Sequence, residues 1–272
     1  MPELPEVETI ANGVHDRIHG RTIRSVWTSN KPQTFKTPPD QIAEALTGSR
    51  VDRVHRVGKT IVVDLSRRRK TMQFLIHLGM TGRLLVSTPD TPIPPHTHAI
   101  LTLSGGSGGI KELRFVDARR FGRLSITETA YEGPGSEPLT ISLEDFIVLF
   151  HHRKTPIKAA LLNQSLLHGV GNIYADESLF RAGIRPRRQV GRLTRAELGR
   201  LRTALVEVIR HAIELGGSSV SDYVDADGVR GFFQLEHRVY LRTGEPCLVC
   251  GTPIQRIVIG GRGTHFCSRC QK

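Results

Sequence analysis

Cysteine is missing from the first 246 residues of this 272-residue chain, and all four cysteines fall between Cys247 and Cys270. That excludes a secreted scaffold stapled by disulfides along its length. Clustering at one end points instead to a local metal site in a reducing cytoplasm. Also missing is any run approaching the ~18 apolar residues that a membrane-spanning helix needs. The amino terminus has no basic stretch followed by an apolar one, so no secretory leader is expected. No segment repeats at a fixed period, which sets aside solenoids and propellers. Acidic residues are scarce: 26 Asp and Glu stand against 38 Lys and Arg, for a net charge of +12. The resulting pI is about 10.1. A surplus of this size implies a polyanionic partner or an anionic surface, although basic proteins without such a partner exist. The rest is ordinary globular composition, 38% hydrophobic and 24% charged, in a chain long enough for two or three domains.

Periodicity divides the chain. Pro5 suits the first turn of a helix, where its missing N–H costs nothing. Val7, Ile10, Ala11, Val14 and Ile18 then recur at helical spacing, and Gly20 is a reasonable stop. From Arg21 to about Thr127 the pattern turns to short β-branched runs. They are "TIRSVW", "RVDRVHRV", "KTIVVDLS", "TMQFLIHL", "GRLLVS", "HAILTLSG", "KELRFVD" and "GRLSIT", parted by turn signals. Many short strands with little helix predict a β-sandwich or barrel over residues 1–132. Residues 133–141 read as a linker. Residues 142–236 read as helical, with helices opening at Ser142 (Asp145 at the capping-box position), after Pro156 through "IKAALLNQSLL", at Asn172 and at the Thr194/Glu197 box. Within them, "GSSVSDYVDADGVRGFFQL" is too polar and Gly-rich for a core element, and loops of this length are functional or disordered. Residues 237–272 carry the cysteines.

Cys247, Cys250, Cys267 and Cys270 make C-x2-C-x16-C-x2-C, a spacing that fits a zinc ribbon. Four thiolates close a tetrahedral structural site, and the metal supplies folding energy that so short a segment cannot bury as core. Two disulfides or an iron site share the spacing. Between the knuckles, "IQRIVIGGRGTHFC" reads as a hairpin. Arg262 at its glycine-rich tip suits a phosphate or is a solvated turn residue. "LLHGVGNIYADESLF" is a helix, a Gly-rich break and a second helix whose free N–H groups can bind an anion, or a plain corner. Nearby Lys158 and "RPRRQVGR" favour phosphate contact, though charge runs are often solvated faces. Met80 in "IHLGMTGR" is a core plug or an apolar wedge. Arg119 and Phe121 in "DARRFGR" suit stacking on bases, unless Asp117 claims an arginine. Finally, "MPELPEVE" places proline behind the initiator. Removal of Met1 would expose a secondary amine, and an α-amine titrates near pH ~8, so much of it is neutral at physiological pH. Beside Glu3 it is a nucleophile next to an acid/base; the bland alternative is a helix lead-in.

Taken in this order, "MPELPEVE", Gly58–Lys59, "HLGM" at 77–80, "RRFG" at 119–122, "GVGNIYADESLF" at 169–180 and the terminal ribbon resemble the formamidopyrimidine-DNA glycosylase (Fpg/MutM) family along the whole chain. The resemblance implies an α+β multi-domain fold: an N-terminal helix plus β-sandwich, a helix-two-turn-helix domain and a C-terminal zinc ribbon, with DNA in the cleft between. It implies a bifunctional DNA glycosylase and AP lyase that excises oxidised purines, 8-oxoguanine and formamidopyrimidines, from duplex DNA. Pro2 is then the nucleophile, Glu3 the general acid/base, Glu6 a support for the carboxylate network and Lys59 a hairpin cation near phosphate and lesion. Met80, Arg119 and Phe121 fill the gap left by the flipped nucleotide, Arg119 facing the orphan cytosine. Lys158, Asn172 and Arg262 grip phosphates, and residues 218–233 cover the everted base. One structural zinc ion is the only cofactor, damaged double-stranded DNA the partner, and the expected state a monomer in the bacterial cytoplasm, associated with the nucleoid. Departures from the family pattern are Thr60 after the hairpin lysine, "HTH" at 96–98 in place of "HDH", and "DARR" in place of "DPRR". Two other functions compete: an endonuclease VIII-like glycosylase for oxidised pyrimidines, and a non-catalytic zinc-ribbon DNA-binding protein.

Overall fold

A computed structural model describes residues 2–106, 108–220 and 223–272. The chain forms two compact units, one made of the segment to Glu132 together with Gly216–Phe232, the other of Gly133–Leu215 together with Phe233–Lys272. Residues 216–232, which the sequence groups with the helical segment, pack with the first unit, and the cysteine-bearing segment shares a unit with the helices.

The first unit opens with α1 (Leu4–Ile18), then β1 (Ile23–Thr28), α2 (Pro39–Leu46), β2 (Arg50–Val57), β3 (Thr60–Arg67), β4 (Lys70–His77), β5 (Arg83–Ser87), β6 (Thr97–Gly106), β7 (Gly109–Val116) and β8 (Arg123–Thr127). All eight predicted strands form. They make two four-stranded sheets, ordered β1-β6-β7-β5 and β2-β3-β4-β8, antiparallel at every pairing. Inward residues of both sheets, among them Ile61, Val63, Leu65 and Phe74 from one and Leu101, Leu103, Leu113 and Phe115 from the other, join Val7, Ile10, Ala11, Val14 and Ile18 of α1 in one core. That is a sandwich with a helix contributing to its filling. The short helix α2 was not anticipated. It rests on Pro39 in its first turn and on Ile42 and Leu46, four residues apart and both fully buried.

The second unit holds α3 (Leu143–Phe150), α4 (Ile157–Leu161), α5 (Asn172–Ala182), α6 (Arg195–Glu214), β9 (Gln255–Ile259) and β10 (Arg262–Phe266). Ser142 caps α3 by accepting from the Asp145 amide at 3.0 Å. Thr194 and Glu197 close a reciprocal capping box on α6. Two expectations need correction. The helix after Pro156 stops at Leu161 and does not run through "NQSLL". There Asn163 Oδ1 accepts from the Ser165 amide, and Gln164 binds the Leu162 and Val170 carbonyls and the Gly169 amide. Side chains that satisfy local backbone groups compete with helix. Asn172 is not a cap either: Gly171 occupies the N-cap and Asn172 begins the helix, which frees its side chain for another contact. β9 and β10 pair through a two-residue turn, Ile259 opposite Arg262. Gly260 and Gly261 both take positive φ, +56° and +74°, the combination that fits the twist of a tight hairpin and that side chains resist. Among the described residues, no helix is long and apolar enough to cross a membrane.

Candidate functional site

Both carboxylates of the opening stretch are buried, Glu3 at 5% and Glu6 at 2% exposure, behind a buried Pro2; Met1 lies outside the described residues. Glu3 is the N-cap of α1. The Glu3 amide donates to Glu6 Oε2 at 2.8 Å, while Glu6 Oε1 accepts from the Ser218 amide, also at 2.8 Å. One carboxylate therefore fixes the start of the chain and the neck of the 216–232 segment together. Tyr223 packs beside it, its hydroxyl donating to Gly216 O at 2.9 Å. Burial, then the charge of Glu6, raises that phenol above its ordinary pKa, so it stays a neutral donor. Gly217 has φ +82°, and a Cβ there would stand 3.0 Å from Glu6 Cγ and Oε1. Further along, Ala226 O accepts the amide of Val86 on edge strand β5 at 3.0 Å. Ser221 and Asp222, within the expected covering loop, lie outside the described residues.

Lys59 is half-buried in the two-residue turn joining β2 and β3, between paired Val57 and Thr60. Arg56 braces this turn, donating to Gly58 O at 3.1 Å and to Glu8 Oε2 of α1 at 2.6 Å. Register places Thr60, His77 and Arg123 side by side across β3, β4 and β8. His77 Nδ1 accepts the Gly79 amide at 3.2 Å, so its proton sits on Nε2. Burial, and then Lys59, Lys36 and Arg123, lower its pKa. Neutral at pH 7, this imidazole offers an N–H among three cations, which is chemistry for a phosphate oxygen. His77, Lys36 and Arg123 are absent from the sequence-derived set. The only signal for His77 was its place in "HLGM".

Met80, Arg119 and Phe121 are exposed, Met80 at 42% and Phe121 at 47%. The Arg119 guanidinium lies 4.7 Å from the Phe121 ring centroid, a cation–π pair. Asp117, wholly buried, holds the two loops that carry them. Its Oδ1 accepts from Thr81 Oγ1 at 2.6 Å and the Arg119 amide at 3.2 Å, and its Oδ2 from the Gly122 amide at 2.8 Å. So Asp117 organises loop backbone and forms no ion pair with an arginine among the described residues. Gly79 is required where these loops touch, since a Cβ there would fall 2.6 Å from the Phe121–Gly122 backbone, and a Cβ on Gly122 would fall 2.6 Å from the Phe115 ring.

In the second unit, Lys158, Asn172 and Arg262 converge on the ribbon hairpin. Lys158 is fully buried, with Nζ 2.7 Å from Asp176 Oδ1 and donating to Gly263 O at 2.9 Å. Asn172 Nδ2 donates to the same carbonyl at 2.9 Å. Asp176 Oδ2 also takes the amide and ring Nδ1 of His265 at 2.9 and 3.1 Å. Lys158 thus sets the hairpin backbone from within, whereas the exposed Arg262 presents its charge outward. Glu177, one residue along, accepts from the consecutive amides of Arg238, Val239 and Tyr240. Burial raises its pKa and those amides oppose the rise.

The four cysteines are free thiols with their Sγ atoms all within 4.8 Å of one another. Cys247 and Cys270 sulfurs are 3.9 Å apart, and those of Cys250 and Cys267 3.5 Å. A tetrahedral zinc with ligands at about 2.3 Å separates its sulfurs by roughly 3.8 Å, so the set fits one structural ion with no open position.

Three family profiles match along the chain. Residues 1–124 match the Formamidopyrimidine-DNA glycosylase N-terminal domain, 134–224 the H2TH domain of the same enzymes, and 244–272 a zinc finger found in FPG and IleRS, which selects zinc over iron for the cysteine site. A formamidopyrimidine-DNA glycosylase of Solibacter usitatus is 46% identical over 277 residues, with both chains covered completely. Among solved structures, a Lactococcus lactis Fpg variant bound to DNA containing Fapy-dG is similar at TM-score 0.90 and 33% identity, with both chains covered completely. Wild-type Lactococcus lactis Fpg with DNA containing an oxidised pyrimidine is similar at TM-score 0.87 and 32% identity over the same full coverage. With its sandwich, helices and four-thiol ribbon matched from end to end, the chain belongs to the formamidopyrimidine-DNA glycosylase family.

Proposed function

We propose that this protein is a bifunctional DNA glycosylase and AP lyase that removes oxidised purines from duplex DNA through a covalent intermediate at Pro2. The observation that carries the reading is the buried Pro2–Glu3–Glu6 start, tied through Glu6 to the neck of the 216–232 segment. With Met1 removed, the Pro2 nitrogen attacks C1′ of the damaged nucleoside. The N-glycosidic bond breaks, and the base leaves with a proton supplied through Glu3. The bond first formed is a C1′–N single bond. As the amine's proton passes through Glu3 to O4′, the C1′–O4′ bond breaks and opens the sugar, and the resulting iminium acidifies the C2′ proton. Loss of that proton expels the 3′ phosphate, a second elimination expels the 5′ phosphate, and water then releases the sugar remnant and regenerates the amine.

A base inside a duplex is out of reach of this nitrogen, so it must be everted at a cost of a few kcal/mol. Exposed Met80 and Phe121, with Arg119 stacked on the ring, have the shape and polarity to fill the vacated space and face the orphan base. Lys59 and His77 suit one set of phosphates, and Asn172 and Arg262 on the ribbon hairpin another. Lys158 acts from behind by fixing Gly263. The 218–233 segment, with Val220, Val229 and Phe232 exposed, would cover the everted base. The working state is taken as a monomer in the bacterial cytoplasm, associated with the nucleoid.

The test is incision of a duplex carrying one 8-oxoguanine opposite cytosine, with borohydride added during turnover. A stable cross-link mapping to Pro2 is expected, and Pro2→Gly or Glu3→Gln should abolish incision while binding survives. A cross-link on a lysine would overturn the mechanism. The Lactococcus complex with an oxidised pyrimidine keeps a pyrimidine preference in play as the second reading. Faster excision of thymine glycol than of 8-oxoguanine would select it.

A further inference from the structure

Two basic runs that are distant in sequence meet in the second unit and take no part in the chemistry above. The Gly191 amide donates to Arg153 O at 3.0 Å, Val190 to Thr155 O at 3.0 Å, and Ile157 to Arg188 O at 2.8 Å. Gly191 is needed for this approach, because a Cβ there would stand 2.7 Å from Arg153 O. The zipped backbones present His151, His152, Arg153 and Lys154 from one run and Arg187 and Arg192 from the other, all exposed except for partial cover on neighbouring residues. Of the nearby carboxylates on α3 and α6, Glu144 pairs with Arg195 and Glu197 with Arg188, while Asp145 accepts from the Ser142 hydroxyl at 2.7 Å. The side chains of Lys154, Arg187 and Arg192 make no ion pair among the described residues.

Beside this positive margin lies a cavity of about 180 Å³ walled by Ile147, Phe150, Val190, Leu193 and Leu198, with exposed His151 and Arg195 also lining it. Phe150 is held from behind by an edge-to-face contact with Phe146, ring centroids 4.8 Å apart. An apolar cavity of about 150 Å³ accommodates benzene, so this one has room for a single aromatic or branched side chain. Val148, on the same helix, is 71% exposed. A DNA backbone would use the cations and leave the apolar walls wet, because a phosphate has nothing to put there. A peptide can use both, a side chain anchored in the pocket and flanking carboxylates on the margin.

We propose that this cavity and its basic margin are a docking site for an acidic segment of a partner protein that inserts one aromatic or branched aliphatic side chain. The probe is a short fluorescein-labelled peptide of aspartate and glutamate ending in phenylalanine, titrated with the full-length zinc-loaded protein and followed by anisotropy. Saturable binding is expected. Replacing the terminal phenylalanine with serine should weaken it about tenfold or more, as should the Arg153→Glu/Lys154→Glu double variant. Ile147→Trp, which narrows the cavity, should weaken the parent peptide but leave the serine peptide unchanged, and melting curves of each variant report that it folds. Incision of a short damaged duplex by the charge-reversed protein should match the parent. The proposal is overturned if the serine peptide binds equally well, since charge alone would then explain binding. It is also overturned if no peptide binds, or if the charge-reversed protein loses duplex affinity, since the margin would then belong to DNA.

Discussion

Glu6 is asked to do two things with two oxygens, and an amide can do only one of them. In Glu6→Gln, a side-chain NH2 would face either the Glu3 or the Ser218 amide, leaving a buried donor opposed by a donor. Such a loss costs roughly 1–3 kcal/mol. The expected result is a lower melting temperature together with a fall in incision, because Glu3 and the neck of the covering segment lose their shared anchor. Gly217→Ala reaches the same place from the other side. Its φ of +82° and the 3.0 Å approach to Glu6 predict about 1–2 kcal/mol of destabilisation. Incision at parental rate in both variants would show that Glu6 positions nothing. Motif order singles out Pro2, Glu3, Glu6 and the Met80, Arg119 and Phe121 set, and the structure buries the first three at the start of α1 and leaves the other three exposed. Lys158 stands among apolar neighbours in "PIKAALL", and only the fold shows that its charge is met by Asp176. His77, Lys36 and Arg123 are not marked by spacing, since strand register sets His77 beside Arg123 and a hydrogen bond from the Lys36 amide to Leu124 O ties Lys36 to the same strand.

At the scale of elements, the ribbon depends on partners outside itself. Cys247 and Cys267 pack with Phe180 of α5, Val239 and Ile254 in one small cluster, and Glu177 gathers the amides of residues 238–240. Removing zinc with a chelator should therefore melt β9 and β10, release Arg262 and lower DNA affinity, and added zinc should restore all three, at one ion per chain. Retained affinity in metal-free protein would refute a structural role for the ion. A second test concerns His237, buried between Phe233 and Tyr240. Burial, reinforced by His265, lowers its pKa to about 4. The folded state keeps this imidazole neutral while the unfolded chain binds a proton near pH ~6.5. Its contribution is thus complete above pH ~6.5 and is lost as pH falls towards about 4, with a ceiling of about 3 kcal/mol. Melting temperature should fall less steeply between pH 7 and 5 in His237→Gln than in the parent; parallel slopes would exclude this histidine as the cause. Elements were legible where alternation or capping was strong: all eight strands of the first unit, α1 and α6. They were not legible where polar side chains competed with the helix, at Asn163 and Gln164, or where two turns of helix rested on Ile42 and Leu46 alone.

For the whole molecule, the sequence shows a surplus of charge but not its allegiance. The 216–232 segment follows a helix of one unit yet packs with the other, through a hydrogen bond that spans 212 positions from Glu6 to Ser218, and no local pattern carries that information. The net charge of +12 has an effect that can be measured without knowing its placement. Each phosphate neutralised releases counterions, so log affinity should fall linearly with log salt at about −0.9 per contact. About six contacts give a slope near −5, and a flat response would argue against phosphate binding altogether. The slope also sorts residues by role. Arg262→Ala, removing one exposed cation from the ribbon hairpin, should weaken intact and damaged duplexes alike and reduce the slope by about one. Phe121→Ala removes an apolar wedge and no charge. It should leave the slope unchanged while weakening damaged duplex more than intact, because only the damaged site has a base to replace. If Phe121→Ala instead flattens the slope, Phe121 acts by holding Arg119 against a phosphate, and the 4.7 Å stacking between them is its function.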